Sequence, residues 1–371
     1  VEHDEDIMKV ADYIIDIGPE AGTLGGHVVA EGTYKDLLKS ESLTAKYLKN
    51  QFTIEVPEKR RKTNNFIEII GAREHNLKNI NVTLPLNNLT VITGVSGSGK
   101  STLVKNILFP AMQKKLIGYG NKIGQFTDIK GSFENLKHLE FIDQKLAKIR
   151  NYKPKHFSFN VEGGRCETCK GDGEVTIEMQ FMADVHLQCE ACNGKRFKKE
   201  VLEIKFNGKS IDDILNSTID DAVAFFTEYN EPKIVQKLKP LEDVGLGYVQ
   251  LGQSSSTLSG GEAQRIKLAS FLVKGNTKDK ALFIFDEPTT GLHFHDIKKL
   301  LASFNALIEK GHSIIVIEHN IELIKCADYV IDLGLEGGKK GGELIFQGTP
   351  EELIKNKKSY TAAYLKDKLV P

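Results

Sequence analysis

Three short strings of this 371-residue chain carry residue types that bind and cleave phosphate groups. The first, Gly94-Val95-Ser96-Gly97-Ser98-Gly99-Lys100-Ser101, has the Walker A spacing and is followed by Thr102. The glycines Gly94, Gly97 and Gly99, with Ser98 between the last two, let backbone N–H groups surround phosphate oxygens before a helix. Lys100 would neutralise the terminal phosphates, and the Ser101 hydroxyl is the expected Mg²⁺ ligand. The string predicts a nucleotide-phosphate cradle.

The second string is an acidic pair, Asp286-Glu287, which follows the continuous apolar run from Ala281 to Phe285. Such a run is typical of a buried parallel strand, and ligands bind at the carboxyl ends of these strands. Asp286 is expected to hold Mg²⁺, partly through water. Glu287 is placed to orient or deprotonate the water that attacks the phosphate. An acidic pair by itself is weak evidence for a nucleotide site, but the upstream phosphate loop makes this evidence strong.

The third string is Leu258-Ser259-Gly260-Gly261-Glu262. Ser259 with Glu262 three residues later forms a capping box, so a helix is predicted to begin here and to continue through Val273. Gly260 and Gly261 leave the helix N-terminus bare, and bare N-termini bind anions.

Four of the five cysteines form two close pairs, Cys166/Cys169 and Cys189/Cys192, with nineteen residues between the pairs. This spacing predicts a closed, structural zinc site with four thiolate ligands. Apolar residues at every second position from Val175 to Leu187 predict a β-ribbon, bent near Met182-Ala183-Asp184. The fifth cysteine, Cys326, stands alone in an apolar stretch and is expected in the core.

The elements that must position these strings are those of an α/β fold. An apolar strand from Leu89 to Thr93 leads into the phosphate loop, and an apolar helical pattern follows it from Thr102 to Leu108. Hydrophobic content of 40% and charged content of 27% are ordinary for a globular protein, and the net charge is zero. No apolar run is long enough for a membrane span, and no signal peptide begins the chain. We expect a cytoplasmic protein, or a fragment whose true start lies upstream.

The first segment of the chain recurs near its end at one fixed offset. The paired strings are Glu2-His3 with Glu318-His319, Ala11-Asp12-Tyr13 with Ala327-Asp328-Tyr329, Asp16-Ile17-Gly18 with Asp332-Leu333-Gly334, Gly32-Thr33 with Gly348-Thr349 and, after a one-residue slip, Tyr47-Leu48 with Tyr364-Leu365. Since solenoid periods are far shorter, a repeat at this distance indicates duplicated domains.

Together the three strings resemble the ABC ATPase family. The resemblance implies that Ser259, Gly260 and Gly261 contact the γ-phosphate of an ATP held by a partner domain. It further implies a Q-loop role for Gln144 and a switch-histidine role for His319, with His3 its equivalent in the first copy. We therefore expect the isolated chain to hydrolyse ATP slowly, because Ser259 and Glu287 serve different ATP molecules.

The expected architecture is an α/β, ABC-type P-loop ATPase with an inserted zinc-bearing β-ribbon and a helical signature subdomain. Residues 1–54 would be the C-terminal remnant of a first ABC ATPase domain. Residues 55–65, which are polar and lack periodicity, would be a linker. Residues 66–371 would form the second ATPase domain, with an insertion at about 146–240 that carries the four cysteines.

Residues 61–371 resemble the second half of the UvrA family, the damage-recognition subunits of the bacterial nucleotide excision repair excinuclease. The strings that carry this resemblance are the phosphate loop, Tyr152-Lys153-Pro154, Phe157-Ser158-Phe159-Asn160, Gly163-Gly164-Arg165-Cys166, Asp243-Val244-Gly245-Leu246-Gly247-Tyr248 and Thr290-Gly291-Leu292-His293. It implies ATP-dependent recognition of lesions in double-stranded DNA, with ATP, Mg²⁺ and Zn²⁺ as cofactors. It also implies a homodimer of the full-length protein, hand-over to the partner UvrB and no membrane.

Basic residues near the cysteine pairs are candidate DNA contacts, although a solvated charged face remains an alternative. The candidates are Lys153, Lys155, Lys195, Arg196 and Lys198.

One departure from the family follows Gln144, which runs directly into Lys145-Leu146-Ala147-Lys148. The UvrA family has Ser-Pro-Ile-Gly and a basic, Ser- and Asn-rich stretch there. We predict that a family segment is missing between Gln144 and Lys145; the alternative is a true variant with weakened DNA contact.

Two other functions stay open at the sequence level. One is a UvrA-like ABC protein without a repair role, acting in drug tolerance or as a regulatory switch. The other is a chaperone-like zinc module, which normally has four copies of the motif that occurs once in full here, at Cys166–Gly173.

Overall fold

A computed structural model describes residues 2–19, 25–118, 122–133, 136–142, 164–177, 185–254, 257–273 and 280–369. Gln144, Lys153, Lys155 and the junction between residues 144 and 145 lie outside these ranges. The chain divides into two compact units. The first comprises residues 1–147, 243–245 and 259–371, and the second comprises residues 148–242 and 246–258.

The strands, in chain order, are β1 (Ile14–Gly18), β2 (His27–Gly32), β3 (Phe66–Ala72), β4 (Ile80–Pro85), β5 (Leu89–Thr93), β6 (Asp128–Gly131), β7 (Leu136–Ile142), β8 (Glu174–Ile177), β9 (Val185–Gln188), β10 (Lys280–Asp286), β11 (Ser313–Ile317), β12 (Tyr329–Leu333) and β13 (Leu344–Gly348). The α-helices are α1 (Glu5–Val10), α2 (Tyr34–Leu37), α3 (Leu43–Leu48), α4 (Phe109–Ile117), α5 (Lys199–Leu202), α6 (Ile211–Asn216), α7 (Ile219–Glu228), α8 (Pro232–Asp243), α9 (Gly260–Val273), α10 (Phe294–Glu309), α11 (Ile321–Ile324), α12 (Pro350–Leu353) and α13 (Tyr360–Leu369).

The largest sheet of the first unit contains six strands among the described residues, in the order β13-β12-β5-β11-β10-β7. Neighbouring strands are parallel except for the antiparallel pair β12–β13. Both β5 and β11 consist entirely of buried residues. A strand covered on both faces is apolar throughout, which is why the sequence pattern of these segments is continuous rather than alternating.

A helical segment with π-type bonding, Thr102–Leu108, follows the phosphate loop and continues into α4. It presents Leu103, Val104, Ile107 and Leu108 to a core that also contains residues of the large sheet and of the antiparallel sheet β4-β3-β6. This packing fixes the direction in which the phosphate loop leaves β5. The predicted α/β fold, with an apolar strand that leads into the phosphate loop and a helix that follows it, is confirmed.

The N-terminal segment folds as the antiparallel hairpin β1–β2 with α1, α2 and α3 around a small core of Met8, Leu37 and Leu48. Residues 55–65 contain no helix or strand, and two of their side chains form ion pairs with the second half of the chain. Arg60 forms an ion pair with Glu351 at 2.6 Å, and Arg61 one with the buried Asp328 at 2.8 Å.

The second unit carries the paired strands β8 and β9, in which Val175 lies opposite Leu187. Its helices α6 to α8 surround a separate apolar cluster of Ala222, Phe225 and Phe226. Across the described residues of both units, none of the helices combines the length and the apolar character that crossing a membrane requires.

Candidate nucleotide and zinc sites

The phosphate loop leaves the carboxyl end of β5 with left-handed backbone at Gly94, Gly97 and Gly99. At Gly94 a Cβ atom would lie 2.2 Å from the carbonyl oxygen of Leu333, and at Gly99 it would lie 2.8 Å from Leu77 Cδ2. Glycine is therefore required at both positions for two reasons, the backbone angle and the close approach of Leu333 or Leu77. The loop has the form that the sequence predicts.

Lys100 lies inside the loop, where its side chain closes a ring of hydrogen bonds. Its Nζ donates to the carbonyl oxygens of Gly94 at 2.7 Å and of Val95 at 2.9 Å. Burial lowers the pKa of Lys100, against the raising effect of Glu287 and Asp286. The buried hydroxyl of Ser98 has no hydrogen-bond partner. A buried donor of this kind favours an anion as partner, which fits the phosphates of ATP.

A cleft of about 660 Å³ opens beside the loop, and Lys100, Ser101 and Thr102 line it. His75 and Asn76 also line it, together with Lys78 and Lys339. Asn76 holds the loop by donating to the carbonyl oxygens of Gly97 at 2.8 Å and Gly338 at 3.0 Å. Sequence reasoning missed His75 and Asn76 because they precede the loop by some twenty positions and carry no periodic signal.

Asp286 and Glu287 stand at the carboxyl end of β10, as predicted. The Nζ atom of Lys105 lies 2.7 Å from Asp286 Oδ2. A metal cation at Asp286 would therefore compete with Lys105 for this carboxylate. Lys105 was also missed, although it lies one helical turn after Ser101 and so faces the same site.

Glu287 adopts left-handed backbone geometry with a φ of 49°. A residue with a Cβ in this region carries about 1–3 kcal/mol of strain, which is common where a side chain is aimed at a reaction. Its Oε1 lies 3.7 Å from Nε2 of His319. Burial, and next the positive charge of Lys100, lower the pKa of His319. His319 and Glu287 are thus brought together at the edge where the sequence places them.

A buried carboxylate, Glu318, connects the two segments that carry these residues. One oxygen accepts from the backbone N–H of Thr289 at 3.0 Å and from its hydroxyl at 2.5 Å. The other accepts from the N–H groups of His319 at 2.7 Å and Asn320 at 3.0 Å. The segment after Glu287 and the switch-histidine segment are therefore coupled through one side chain.

The signature helix α9 begins as predicted. The N–H of Ser259 donates to Glu262 Oε2 at 2.7 Å, and the N–H of Glu262 donates to Ser259 Oγ at 3.3 Å. Further along, the buried Gln264 donates to the carbonyl oxygen of Asp286 at 3.1 Å. The helix that carries Ser259, Gly260 and Gly261 is thereby fastened to the strand that delivers the acidic pair.

The four predicted zinc ligands form one cluster. The sulfur atoms of Cys166, Cys169, Cys189 and Cys192 all lie within 4.8 Å of one another, and all four side chains are buried. Two of the separations are 3.9 Å and 3.6 Å. Four thiolates at about 2.3 Å from a tetrahedral Zn²⁺ would be about 3.8 Å apart, so the cluster fits this ion.

A backbone N–H group points at a sulfur atom, and the backbone is left-handed at Gly171 and Gly194. Both glycines have positive φ angles, and the N–H of Gly173 donates to Cys169 Sγ at 3.3 Å. Burial raises the pKa of Cys166, but the N–H groups of Cys169 and Thr168 outweigh it and lower the pKa to about 7. These bonds stabilise the thiolate form that zinc requires.

The described DNA-contact candidates differ in their surroundings. Lys195 is exposed. Arg196 donates to the carbonyl oxygen of Gly252, and Lys198 pairs with Glu167. Lys195 is therefore the described candidate whose charge is best presented to a partner, whereas Arg196 has a structural role in its own unit.

A family model described as ABC transporter matches residues 77–290, which is more than half of the chain. The chain belongs to the ABC family. The UvrABC system protein A of Clostridium perfringens is 51% identical over 99% of this chain, and that of Staphylococcus epidermidis is 50% identical over the same share. The solved structure of UvrA2 from Deinococcus radiodurans is 38% identical and superposes with a TM-score of 0.89 over 100% of this chain.

The resemblance of this ABC ATPase to UvrA is thereby confirmed along almost the whole chain. The chain spans 42% of the length of the curated relatives and 48% of the UvrA2 chain. The alignment with the Clostridium acetobutylicum relative extends over 399 positions, against the 371 residues of this chain. The relatives therefore have additional residues within the aligned span.

Proposed function

We propose that this chain is the second ATP-binding half of a DNA-damage-recognition ATPase in nucleotide excision repair. The observation that carries the proposal is the 51% identity to a UvrABC system protein A over 99% of the chain, a span that includes the four-cysteine insert. A relationship confined to the ATPase core would leave that insert unmatched.

In the proposed reaction the chain binds ATP with its phosphates in the loop of Gly94 to Ser101. Lys100 exchanges its carbonyl partners for the terminal phosphates, and the N–H groups around Ser98 donate to their oxygens. Mg²⁺ held by Ser101 and Asp286 would neutralise charge that develops on the phosphates. Glu287 orients or deprotonates the attacking water, with neutral His319 beside it and Gln144 as the proposed Q-loop residue.

The proposal divides one catalytic site between two domains. Ser259, Gly260 and Gly261 would contact the ATP of the first ATPase domain, whose own signature helix would complete the site at Lys100. Residues 1–54 would belong to that first domain, and residues 66–371 to the second. The isolated chain should therefore bind ATP well and hydrolyse it slowly.

The zinc insert is proposed as the DNA-facing part. Zinc would hold Cys166 to Cys192 together and so present Lys195, and Lys153, Lys155 and Lys198 are further proposed contacts. A basic, Ser- and Asn-rich segment after Gln144, consistent with the extra aligned positions of the relatives, would add phosphate contacts. Partners of the full-length protein would be double-stranded DNA with lesions, a second copy of itself and UvrB.

The test is binding of the full-length, two-domain protein to lesion-bearing and undamaged duplexes of one sequence at one salt concentration. We expect tighter binding to the damaged duplex, and loss of that preference when zinc is chelated. Lys195→Ala should weaken binding to both duplexes and reduce the salt slope by about 1, because one phosphate contact is lost. Lys233→Ala, an exposed lysine on α8, is the matched control. Equal affinity for both duplexes, unchanged by chelation, would refute the repair function.

A further inference from the structure

The turn between β12 and β13 contains a glycine-rich segment, Gly337–Gly342, which we call the lysine loop. Its backbone lies against the phosphate loop, because the N–H of Gly338 donates to the carbonyl oxygen of Gly97 at 3.1 Å. A Cβ atom at Gly337 would lie 2.6 Å from the carbonyl oxygen of Ser96. The two loops are therefore in direct backbone contact, and glycine at this position permits the approach.

The segment that precedes β4 binds both loops. The side-chain amide of Asn76 bridges the two by donating to one carbonyl oxygen of each. The N–H of Lys78 donates to the carbonyl oxygen of Gly342 at 2.8 Å, and its Nζ donates to that of Lys339 at 3.0 Å. The backbone of the lysine loop is thus held at its centre and at its end, beside the phosphate loop.

The lysine loop contributes one side chain, that of Lys339, to the cleft of about 660 Å³ beside the phosphate loop. Lys339 is exposed, and within the described part of the chain its ammonium group forms no ion pair. Lys78 and Lys100 also line the cleft, and the described residues around it include neither aspartate nor glutamate. A concave surface with three lysines and no carboxylate attracts polyanions, such as the phosphate chain of a nucleotide.

The position of Lys339 along the cleft indicates which phosphates it would meet. In a Walker A loop the backbone N–H groups surround the α- and β-phosphates, and the lysine reaches the terminal ones. The lysine loop is bonded to Gly97, in the glycine part of the phosphate loop. Among the described residues, the acidic pair and His319, which mark the edge where the terminal phosphate would be cleaved, do not line this cleft. Lys339 would therefore lie nearer to the α- and β-phosphates than to the bond that is hydrolysed.

The internal repeat distinguishes the glycines of the lysine loop from its charge. Three glycines recur at the fixed offset of the repeat, Gly338, Gly341 and Gly342 as Gly22, Gly25 and Gly26. Lys339, in contrast, corresponds to Thr23. The glycines fit a backbone role that both copies share, whereas Lys339 is specific to the copy that adjoins the phosphate loop of this chain.

We propose that Lys339 is a nucleotide-binding residue whose ammonium group donates to the α- and β-phosphates of bound ATP or ADP. This assignment rests on the proposed function only in requiring that a nucleotide binds at the phosphate loop. The contact gives the ATP site of this domain a cation at a position where the first copy of the repeat has Thr23. Because ATP and ADP both carry these phosphates, loss of Lys339 should weaken the binding of both nucleotides by the same factor.

Hydrogen exchange of the full-length protein, titrated with Mg·ADP or with a non-hydrolysable Mg·ATP analogue, tests the contact at this site alone. The readout is the nucleotide concentration that half-saturates protection of the peptide containing Gly94–Ser101. Lys339→Gln should raise this concentration about 3- to 5-fold for both nucleotides, the effect expected of one partly exposed charge contact. Lys339→Glu should raise it further, because it adds a negative charge, and Lys339→Arg should preserve binding.

Two controls show whether the effect is specific to this side chain. Lys340→Gln changes the neighbouring lysine, which is exposed and is not among the described residues that line the cleft, and should leave both concentrations unchanged. The phosphate loop of the first domain, whose copy of the lysine loop has Thr23, should reach half-saturation at the same concentrations in every variant.

Equal half-saturation concentrations for the wild-type protein and Lys339→Gln would overturn the proposal. So would an effect on the ATP analogue alone, which would place the contact at the terminal phosphate. An equal effect of Lys340→Gln would overturn it by indicating a general effect of charge, and an equal loss in Lys339→Arg would do so by indicating a change in the loop itself. A wild-type protein whose phosphate loop gains no protection from either nucleotide would refute the proposed ATP-binding function as well. Because the readout needs no DNA, a protein that binds nucleotide as expected but ignores lesions would refute the repair function alone.

Discussion

The nucleotide site and the zinc cluster are stabilised in different ways. The phosphate loop is held by a sheet of buried strands and by Asn76, and Lys100 is satisfied by the carbonyls of Gly94 and Val95. Around the thiols, the buried cluster that the described residues form consists of the four cysteines alone. The first site is a product of the hydrophobic core, whereas the second consists of four thiols that a metal ion would hold together.

This difference predicts which part of the protein tolerates loss of its ligand. A loop fixed by packing keeps its shape when the ligand leaves, because the core has already compensated for the entropy of ordering it. Without a metal ion, four neighbouring thiolates repel one another, and the cluster has little apolar surface to bury. The ATPase core should therefore survive changes that unfold the insert.

Removal of zinc is expected to have the largest effect. Cys169→Ser should abolish zinc binding, which contributes about 10 kcal/mol or more to a small metal-dependent fold. The insert should lose protection from hydrogen exchange, while ATP affinity stays within about 2-fold because the core is a separate cooperative unit. Cys326→Ser, which removes a buried thiol outside the cluster, is the control and should leave the zinc content unchanged. Loss of protection in the strands around the phosphate loop of Cys169→Ser would contradict the comparison.

Loss of the loop lysine should have a smaller effect, and it should act on the other site: ATP binding weakens while the cysteine cluster is unchanged. Lys100→Ala removes a charged hydrogen-bond donor worth about 1.5–3 kcal/mol to the phosphates, so ATP should bind about 10- to 100-fold more weakly. The zinc content and the unfolding midpoint should change little, since the loop is held by its backbone. Lys114→Ala, at an exposed position of α4, is the matched control for titration calorimetry. An unchanged ATP affinity would show that Lys100 stays on its carbonyl partners.

The smallest expected effect is the pH dependence that arises from His319. Burial and then Lys100 lower the pKa of His319 below its usual 6.5, so the folded state resists a proton that the unfolded chain accepts. The free energy of unfolding should therefore fall as the pH drops below about 6.5 and should be independent of this group above it. Urea midpoints from pH 7.5 to 5.5 should fall less steeply in His319→Gln than in the control His27→Gln, at an exposed histidine. Equal slopes in the two variants would show that His319 does not cause the pH dependence of the free energy of unfolding.

The chemistry of each site could be predicted from short, local strings. The Walker A spacing, the acidic pair after an apolar run and the two cysteine pairs each specify a ligand by residue type, and the strand Leu89–Thr93 has the predicted bounds. Glu318 and Asn76 could not be found in this way. Their importance depends on which distant backbone groups and carboxylates they meet, and a single carboxylate or amide in a sequence gives no such information.

The sequence by itself determined the fold class, the nucleotide loop, the two cysteine pairs and the internal repeat, because each follows from residue type at fixed spacing. Only the tertiary structure decided that His293 lies against Thr44 and Tyr47, and that Thr361 and Tyr364 line a pocket with Gly94 and His319. The physical reason is that these contacts join segments about 250 residues apart, whose meeting is set by how the sheet and its helices pack together. A pattern along the chain shows which side chains are available, and the packing selects the partners that they contact.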